Sequence, residues 1–234
     1  VVPGSGGLGV IEGFSRAVAA IVSHLGFEAF VTGASDVTGI VEGTGKGADV
    51  FMMADDESFV ALVAGSRKVV DNARATARGF VAGLEFMRRG LAGESVLVLG
   101  CGPVGVGAAE VLLERGARVG LYDIDEDRAA SALAAVNRGL SGTVEMEGDL
   151  QRALEGYELI VDATNTGGFI EARHLSTRTL VAAPGMPCAL TPEAMEENRD
   201  RVLHDPLEIG AATMAVQAAA LLTGGGTDPG ADRP

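Results

Sequence analysis

The sequence predicts a two-domain α/β protein, with a doubly wound parallel sheet of Rossmann type in the C-terminal half and a smaller α/β domain before it. Three observations predict this. Short apolar runs alternate with amphipathic stretches at the spacing of βαβ units. The pattern G-x-G-x-x-G occurs twice, as Gly4-Ser5-Gly6-Gly7-Leu8-Gly9 and as Gly100-Cys101-Gly102-Pro103-Val104-Gly105. The 234 residues, 47% of them hydrophobic, are enough to bury two small cores.

Taken in order, Val1-Val2-Pro3 reads as the tail of a strand, so the chain is expected to be truncated at its start. After the first glycine loop, Ile11, Phe14, Val18, Ile21, Val22 and Leu25 mark one face of a helix stopped by Gly26. Glu28 to Thr32 is expected to be a strand, and Val37 to Lys46 is ambiguous because its glycines weaken a helix. Ala48 to Asp56, ADVFMMADD, reads as a buried parallel strand that breaks into two carboxylates at a cleft. Lys68 to Val70 is a further short strand. Ala73 to Arg89 forms a helix carrying four Arg residues and linking the domains.

The second half opens with the strand Ser95 to Leu99, the second glycine loop and a helix to Arg115. The strand ARVGLYD, a helix from Asp127 to Arg138, a weak strand around Val144 and a helix from Leu150 to Leu154 follow. The strands ELIVDAT and TLVAAPG flank a loop with a short helix. Glu208 to Leu222 is apolar nearly all round and is placed as a helix between the domains or on the first one. The expected boundaries are 1–90 for the N-terminal substrate domain with its linking helix 73–89, 91–205 for the Rossmann domain, 206–222 for the last helix and 223–234 for a disordered tail.

The net charge of −14 argues against nucleic acid or an anionic membrane as a partner, since either needs clustered Lys and Arg. With two cysteines, no secretion signal and no long apolar run, a cytoplasmic protein is expected. His24, His174 and His204 are dispersed and no C-x-x-C pair exists, so no metal is expected. Cys101 and Cys188 read as small buried filler. The apolar helices suggest a homodimer.

The second glycine loop has what a dinucleotide site needs: a strand before it, a helix after it and an acid closing the next strand. Gly100 makes the turn, Gly102 lets phosphate approach and Gly105 lets helix pack on strand. Asp123 is placed for the ribose hydroxyls, and Ile124-Asp125-Glu126 holds no Arg for an extra phosphate, so NAD is preferred to NADP. Ala163-Thr164-Asn165 and Pro184-Gly185 end neighbouring strands, where the nicotinamide half belongs. The first loop fails the same test, because the next strand ends in Thr32-Gly33 with Asp36 beyond it in a turn. Ser5 and Gly6, with backbone N–H groups, suit a substrate carboxylate; a plain strand-to-helix turn is the alternative.

The segments PGSGGLGVIEGFS, ADVFMMADDESF, APGMPCALT and DPLEIGAATM, in this order around a Rossmann segment, resemble the PylD family of NAD-dependent dehydrogenases, which completes pyrrolysine biosynthesis. The resemblance runs from Val1 to about Leu222. It implies oxidation of the terminal amine of 3-methylornithyl-N6-lysine to an imine and then an aldehyde, which the substrate's α-amine closes into a pyrroline ring. Such an ammonium must lose a proton before hydride can leave. Asp55 and Asp56 then become candidates: Asp55 to bind the amine, one of the pair to cap a helix beginning near Ser58. Ser5 is a second candidate catalytic residue. Asn72 contacts substrate or caps the linking helix, and Glu208 faces the cleft or complements a helix dipole. Other enzyme readings are an amino-acid or methylene-folate dehydrogenase; the former lacks its usual lysine base, since only Lys46 and Lys68 occur. An NAD-sensing module without catalysis is the non-enzymatic alternative.

Overall fold

The computed structural model describes residues 1–66, 68–137 and 142–224. The elements of the first half are α1 (Phe14–His24), α2 (Asp36–Gly45), β1 (Val50–Ala54), β2 (Phe59–Val63), β3 (Val69–Asp71) and α3 (Asn72–Arg88). The second half runs β4 (Ser95–Leu99), α4 (Pro103–Glu114), β5 (Arg118–Tyr122), α5 (Glu126–Asn137), β6 (Val144–Met146), α6 (Leu150–Gly156), β7 (Leu159–Asp162), β8 (Leu180–Ala183), α7 (Pro192–Glu197), β9 (Val202–His204) and α8 (Glu208–Leu222). Two compact units result. One takes Val1–Thr76 and the chain from Leu207; the other takes Ala77–Pro206.

In the first unit β1, β2 and β3 form an antiparallel sheet, with Met53 opposite Val60 and Val60 opposite Asp71. This corrects two expectations. The strand before Asp55 is antiparallel to its neighbour, and the segment after Ser58 is strand β2 rather than a helix. Its alternating buried and half-buried residues, FVALV, carry the period-2 signal that the preceding acidic turn masks. Glu28 to Thr32 forms no regular strand, yet it is extended against Val1. The Val1 amine donates to the Phe30 carbonyl at 2.7 Å and the Thr32 N–H to the Val1 carbonyl at 3.1 Å. Val2 in turn donates to Met52 of β1. The ambiguous segment is helix α2, and its two inward residues are Gly39 and Gly43.

Helix α8 packs on α1, β2 and β3, with Gly210, Ala211, Met214, Ala215 and Ala218 turned inward. Its wide apolar surface is thus used within the first unit. The core there gathers Phe14, Val18, Met52, Phe59, Val63 and Met214, with the rings of Phe14 and Phe59 edge to face at 5.2 Å.

In the second unit six strands run parallel in the order β6-β5-β4-β7-β8-β9. Strands β4 and β7 are buried on both faces, as helix-covered parallel strands must be. Strands β5 and β6 lie on one side of β4 and β7, β8 and β9 on the other, so the chain's switch point lies at the C-terminal ends of β4 and β7. Strand β9 and helix α7, the latter capped by Thr191 accepting the Ala194 N–H at 3.1 Å, were not expected from the pattern. The expected tail from residue 225 lies outside the described residues, as do residues 138–141, so the expected end of the α5 helix at Arg138 is not described.

Phe59→Ala removes one partner of the ring pair from the first unit's core and is expected to cost about 3–5 kcal/mol of stability, measured by urea unfolding.

Candidate functional site

At the end of β4 the chain turns sharply: Gly100 has φ of 85°, and a Cβ there would lie 2.8 Å from the Ala163 carbonyl oxygen. A Cβ on Gly105 would collide with the Gly100 carbonyl, so α4 rides directly on the strand end. Gly102 differs, because nothing lies within 4 Å of where its Cβ would be. It is also the N-cap of α4, no side chain caps it, and Pro103 opens the helix. Open space therefore faces first-turn N–H groups, the setting in which a helix start holds phosphate.

Asp123 follows β5 and is 8% exposed. Its Oδ2 accepts the Cys101 N–H at 2.7 Å and its Oδ1 the Asp125 N–H at 3.0 Å. A carboxylate offers about four lone-pair sites, so two remain for ribose hydroxyls. Ile124 beside it is 91% exposed, an apolar side chain left in water at the same edge. Burial, with Asp123 adding to it, pushes the Cys101 thiol up to about 11, which keeps it protonated. These residues fit a dinucleotide. One expectation needs correction: although 124–126 hold no Arg, Arg128 reaches back to within 3.9 Å of Asp123. A helical residue three positions beyond Asp125 returns to the same side, a signal the linear reading passed over.

The other expected cofactor residues converge through Asp162, which sequence reasoning missed. Its Oδ1 accepts both the Thr164 N–H (3.1 Å) and hydroxyl (2.7 Å), while Oδ2 accepts the Ala189 N–H at 2.9 Å. The Gly185 N–H donates to the Asp162 carbonyl at 2.8 Å, and Ala163 donates to Leu99. Ala163, Thr164 and Gly185, beside Pro184, thus meet at the C-terminal ends of β4, β7 and β8, and Asn165 follows directly. His204 ends β9 on the same edge, with Nδ1 2.8 Å from the Ala183 carbonyl. An aspartate closing an apolar strand was the available signal for Asp162.

The first glycine loop has the acid that sequence reading denied it. Asp36 Oδ1 accepts the Ser5 N–H at 3.0 Å, the same relation that Asp123 has to Cys101. Asp36 manages this with φ of 53°, a conformation that a short polar side chain tolerates. What excludes phosphate is different. A Cβ on Gly6 would lie 3.4 Å from Asp56 Oδ2, so a carboxylate stands where Gly102 has open space. The loop continues as a 3₁₀ turn, Gly7–Val10, and α1 begins only at Phe14. Gly4 and Gly7 press on the backbone of Ala54 and Asp55. The expectation of a substrate carboxylate at Ser5 is corrected accordingly, because Asp36 holds that N–H and Asp56 borders the loop.

Asp55 Oδ1 accepts the Glu57 and Ser58 N–H groups at 2.9 and 2.8 Å, closing the β1–β2 turn. The helix that one of the acids was expected to cap is absent here; Asp55 caps the turn instead. Those two bonds hold its carboxyl below the usual carboxylate range. Asn72 does not cap α3: Asp71 does, accepting the Arg74 N–H at 3.0 Å. Asn72 instead accepts the Thr76 hydroxyl at 3.3 Å and lies against Gly210, where a Cβ would come within 3.0 Å of its Oδ1. The strand register carries Asn72 to the end of the sheet at which Asp55 turns, and Glu208 begins the helix that Asn72 touches. Ser5, Gly6, Asp55, Asp56, Asn72 and Glu208 therefore share one end of the first unit. Lys46 is elsewhere, paired with Glu42 at 2.7 Å. A cavity of about 300 Å³ opens at the other end of β1, lined by Val1, Phe27, Phe30, Lys46, Asp49 and Val50.

Among the described residues no group of three or more His, Cys, Asp or Glu could hold a metal ion, and no helix is long and apolar enough to cross a membrane. Residues 1–70 match the family described as pyrrolysine biosynthesis protein PylD, N-terminal domain, and residues 95–166 match the NAD binding domain of 3-hydroxyacyl-CoA dehydrogenase. A pyrrolysine synthase from Methanosarcina barkeri is 32% identical over 219 residues, 92% of this chain and 78% of that protein. One from Methanosarcina acetivorans is 31% identical over 216 residues, 92% and 79% of the two chains. The quinate dehydrogenase of Corynebacterium glutamicum, solved with NAD, shares the fold with a TM-score of 0.64 at 17% identity, over 94% of this chain and 91% of its own.

Burial raises the Asp162 carboxyl above its ordinary value of 3.8, against the pull of its Thr164 and Ala189 bonds and of His204. The folded state therefore holds this proton more tightly than the unfolded one, and the stability it contributes falls as pH rises from about 4 through its own pKa. Asp162→Asn is expected to remove that slope, seen by comparing urea midpoints of the two proteins from pH 4 to 7.

Proposed function

The chain belongs to the pyrrolysine synthase family, and from that premise we propose that it oxidises the terminal amine of 3-methylornithyl-N6-lysine in the last step of pyrrolysine biosynthesis. The observation that carries the reading is the identity to two pyrrolysine synthases across 92% of the chain. The enzyme is an NAD-dependent dehydrogenase. Bound NAD supplies the hydride acceptor.

In this reading Gly100, Cys101, Gly102, Pro103, Val104 and Gly105 cradle the pyrophosphate, with Gly102 open to it. Asp123 would hold the adenosine ribose, and the exposed Ile124 would offer the adenine an apolar contact. Ala163, Thr164, Asn165, Pro184 and Gly185 border the nicotinamide, held in place by Asp162. Asp123 keeps its two backbone bonds while it binds, so the ribose meets an acceptor already fixed in position.

The substrate amine is a cation with pKa near 10 by analogy with Lys. Asp55, Asp56, Ser5 and Gly6 receive it. The Asp55 carboxyl lies below the usual range, so it is ionised at every working pH and is too weak a base to keep the ammonium proton. Its part is to hold the cation and orient it, while water accepts the proton. Oxidation leaves an imine, water releases ammonia to give the aldehyde, and the substrate's own α-amine condenses with it, losing water, to close the ring. Asn72 and Glu208 bind the remaining polar groups of the substrate. Cys101 and Cys188 are both unpaired, which suits the reducing cytoplasm in which we place the reaction.

Incubating the protein with NAD and the lysine-linked methylornithine is expected to yield reduced cofactor by absorbance and pyrrolysine by mass. Reduced cofactor without the ring product would remove this assignment. Asp55→Asn is expected to lower kcat about 100-fold through lost orientation of the amine while NAD affinity holds. Asp123→Ala should weaken NAD, and unchanged affinity would refute the cofactor placement.

A further inference from the structure

We propose that Arg128 is a latent anchor for a ribose 2′-phosphate, silenced by Asp123 and Asp125, so that removing either carboxylate's charge turns the site toward NADP. The inference rests on the placement of the dinucleotide at the ends of β4 and β5.

Arg128 opens outward from the first turn of α5. Its backbone N–H is bound to Asp125 Oδ1 at 3.2 Å, which fixes the residue's origin. The guanidinium is less constrained: Nη1 lies 3.9 Å from Asp123 Oδ2 and Nη2 3.6 Å from Asp125 Oδ2, with 55% of the side chain exposed. Both distances exceed a hydrogen bond, so these are ion pairs without directional commitment, and the planar fork of donors can re-aim. A ribose whose hydroxyls meet Asp123 puts its 2′-oxygen beside that fork. A phosphate there would gain charge-assisted bonds from Arg128 but would meet the Asp123 carboxylate first. Asp125 adds a second carboxylate beside the guanidinium, and Glu126 and Asp127 make the same first turn acidic. Selectivity for NAD is therefore a balance of carboxylates over one cation. The cation that a 2′-phosphate needs is already in place.

The test is calorimetric titration of the purified full chain with NAD and with NADP. Asp123→Ser is expected to raise the NADP-to-NAD affinity ratio about 100-fold, and Arg128→Gln added to it should take back about tenfold. Because Asp123 also holds the Cys101 N–H, Asp125→Asn is the companion variant that leaves that bond alone. It should raise the ratio about threefold or more, again reversed by Arg128→Gln. If Arg128→Gln leaves the ratio unmoved in both backgrounds while NAD still binds, the proposal fails. If the unaltered chain binds no NAD, the cofactor placement fails with it.

Discussion

Asp162, with 0% of its surface exposed, places both carboxylate oxygens and its carbonyl on three separate stretches of chain, Thr164, Gly185 and Ala189. The C-terminal edge of the six-stranded sheet depends on this one group. Parallel strands buried on both faces can offer functional groups only where they end, and those ends are loops with unpaired N–H groups. An acceptor with several lone pairs, driven inside, binds the loops together, and the bonds it makes offset part of its desolvation. A neutral side chain of the same size would supply fewer acceptors.

Asp123 repeats the device two strands over, holding the glycine loop at Cys101 and the turn at Asp125. Asp36 repeats it again at Ser5 in the first unit. Loops of both units are thus pinned by aspartates, and only their surroundings separate their uses. Beside Gly102 there is open space; beside Gly6 there is the Asp56 carboxylate. The first arrangement leaves room for a phosphate. The second puts a carboxylate in that room.

The high negative charge of the chain finds a partial account in these roles. Asp71 caps α3, Asp149 caps α6 through the Arg152 N–H, and Asp55 closes a hairpin, so many carboxylates serve backbone donors rather than ligands. Charge counted from composition does not tell which acids are free to act. Asn72 shows the converse, since the helix cap it was expected to share belongs to its neighbour.

Strands β4, β5, β7 and β8, helices α3, α4 and α8, and the glycine loop between β4 and α4 were readable from the sequence. Each carries its signal locally, as an apolar run, a 3.6-residue period or a glycine spacing tied to a strand end. Strand β2 was lost because Asp55 to Ser58 reads equally as a helix start, and only pairing with β1 decides for a hairpin. Arg128, Asp162, and the contacts of Asp36 and Asp56 with the first loop were decided by tertiary structure. Their meaning lies in distances between residues far apart in the chain, or folded back within a helical turn. A literal G-x-G-x-x-G is a statement about backbone freedom, and the neighbouring side chains determine what that freedom accommodates.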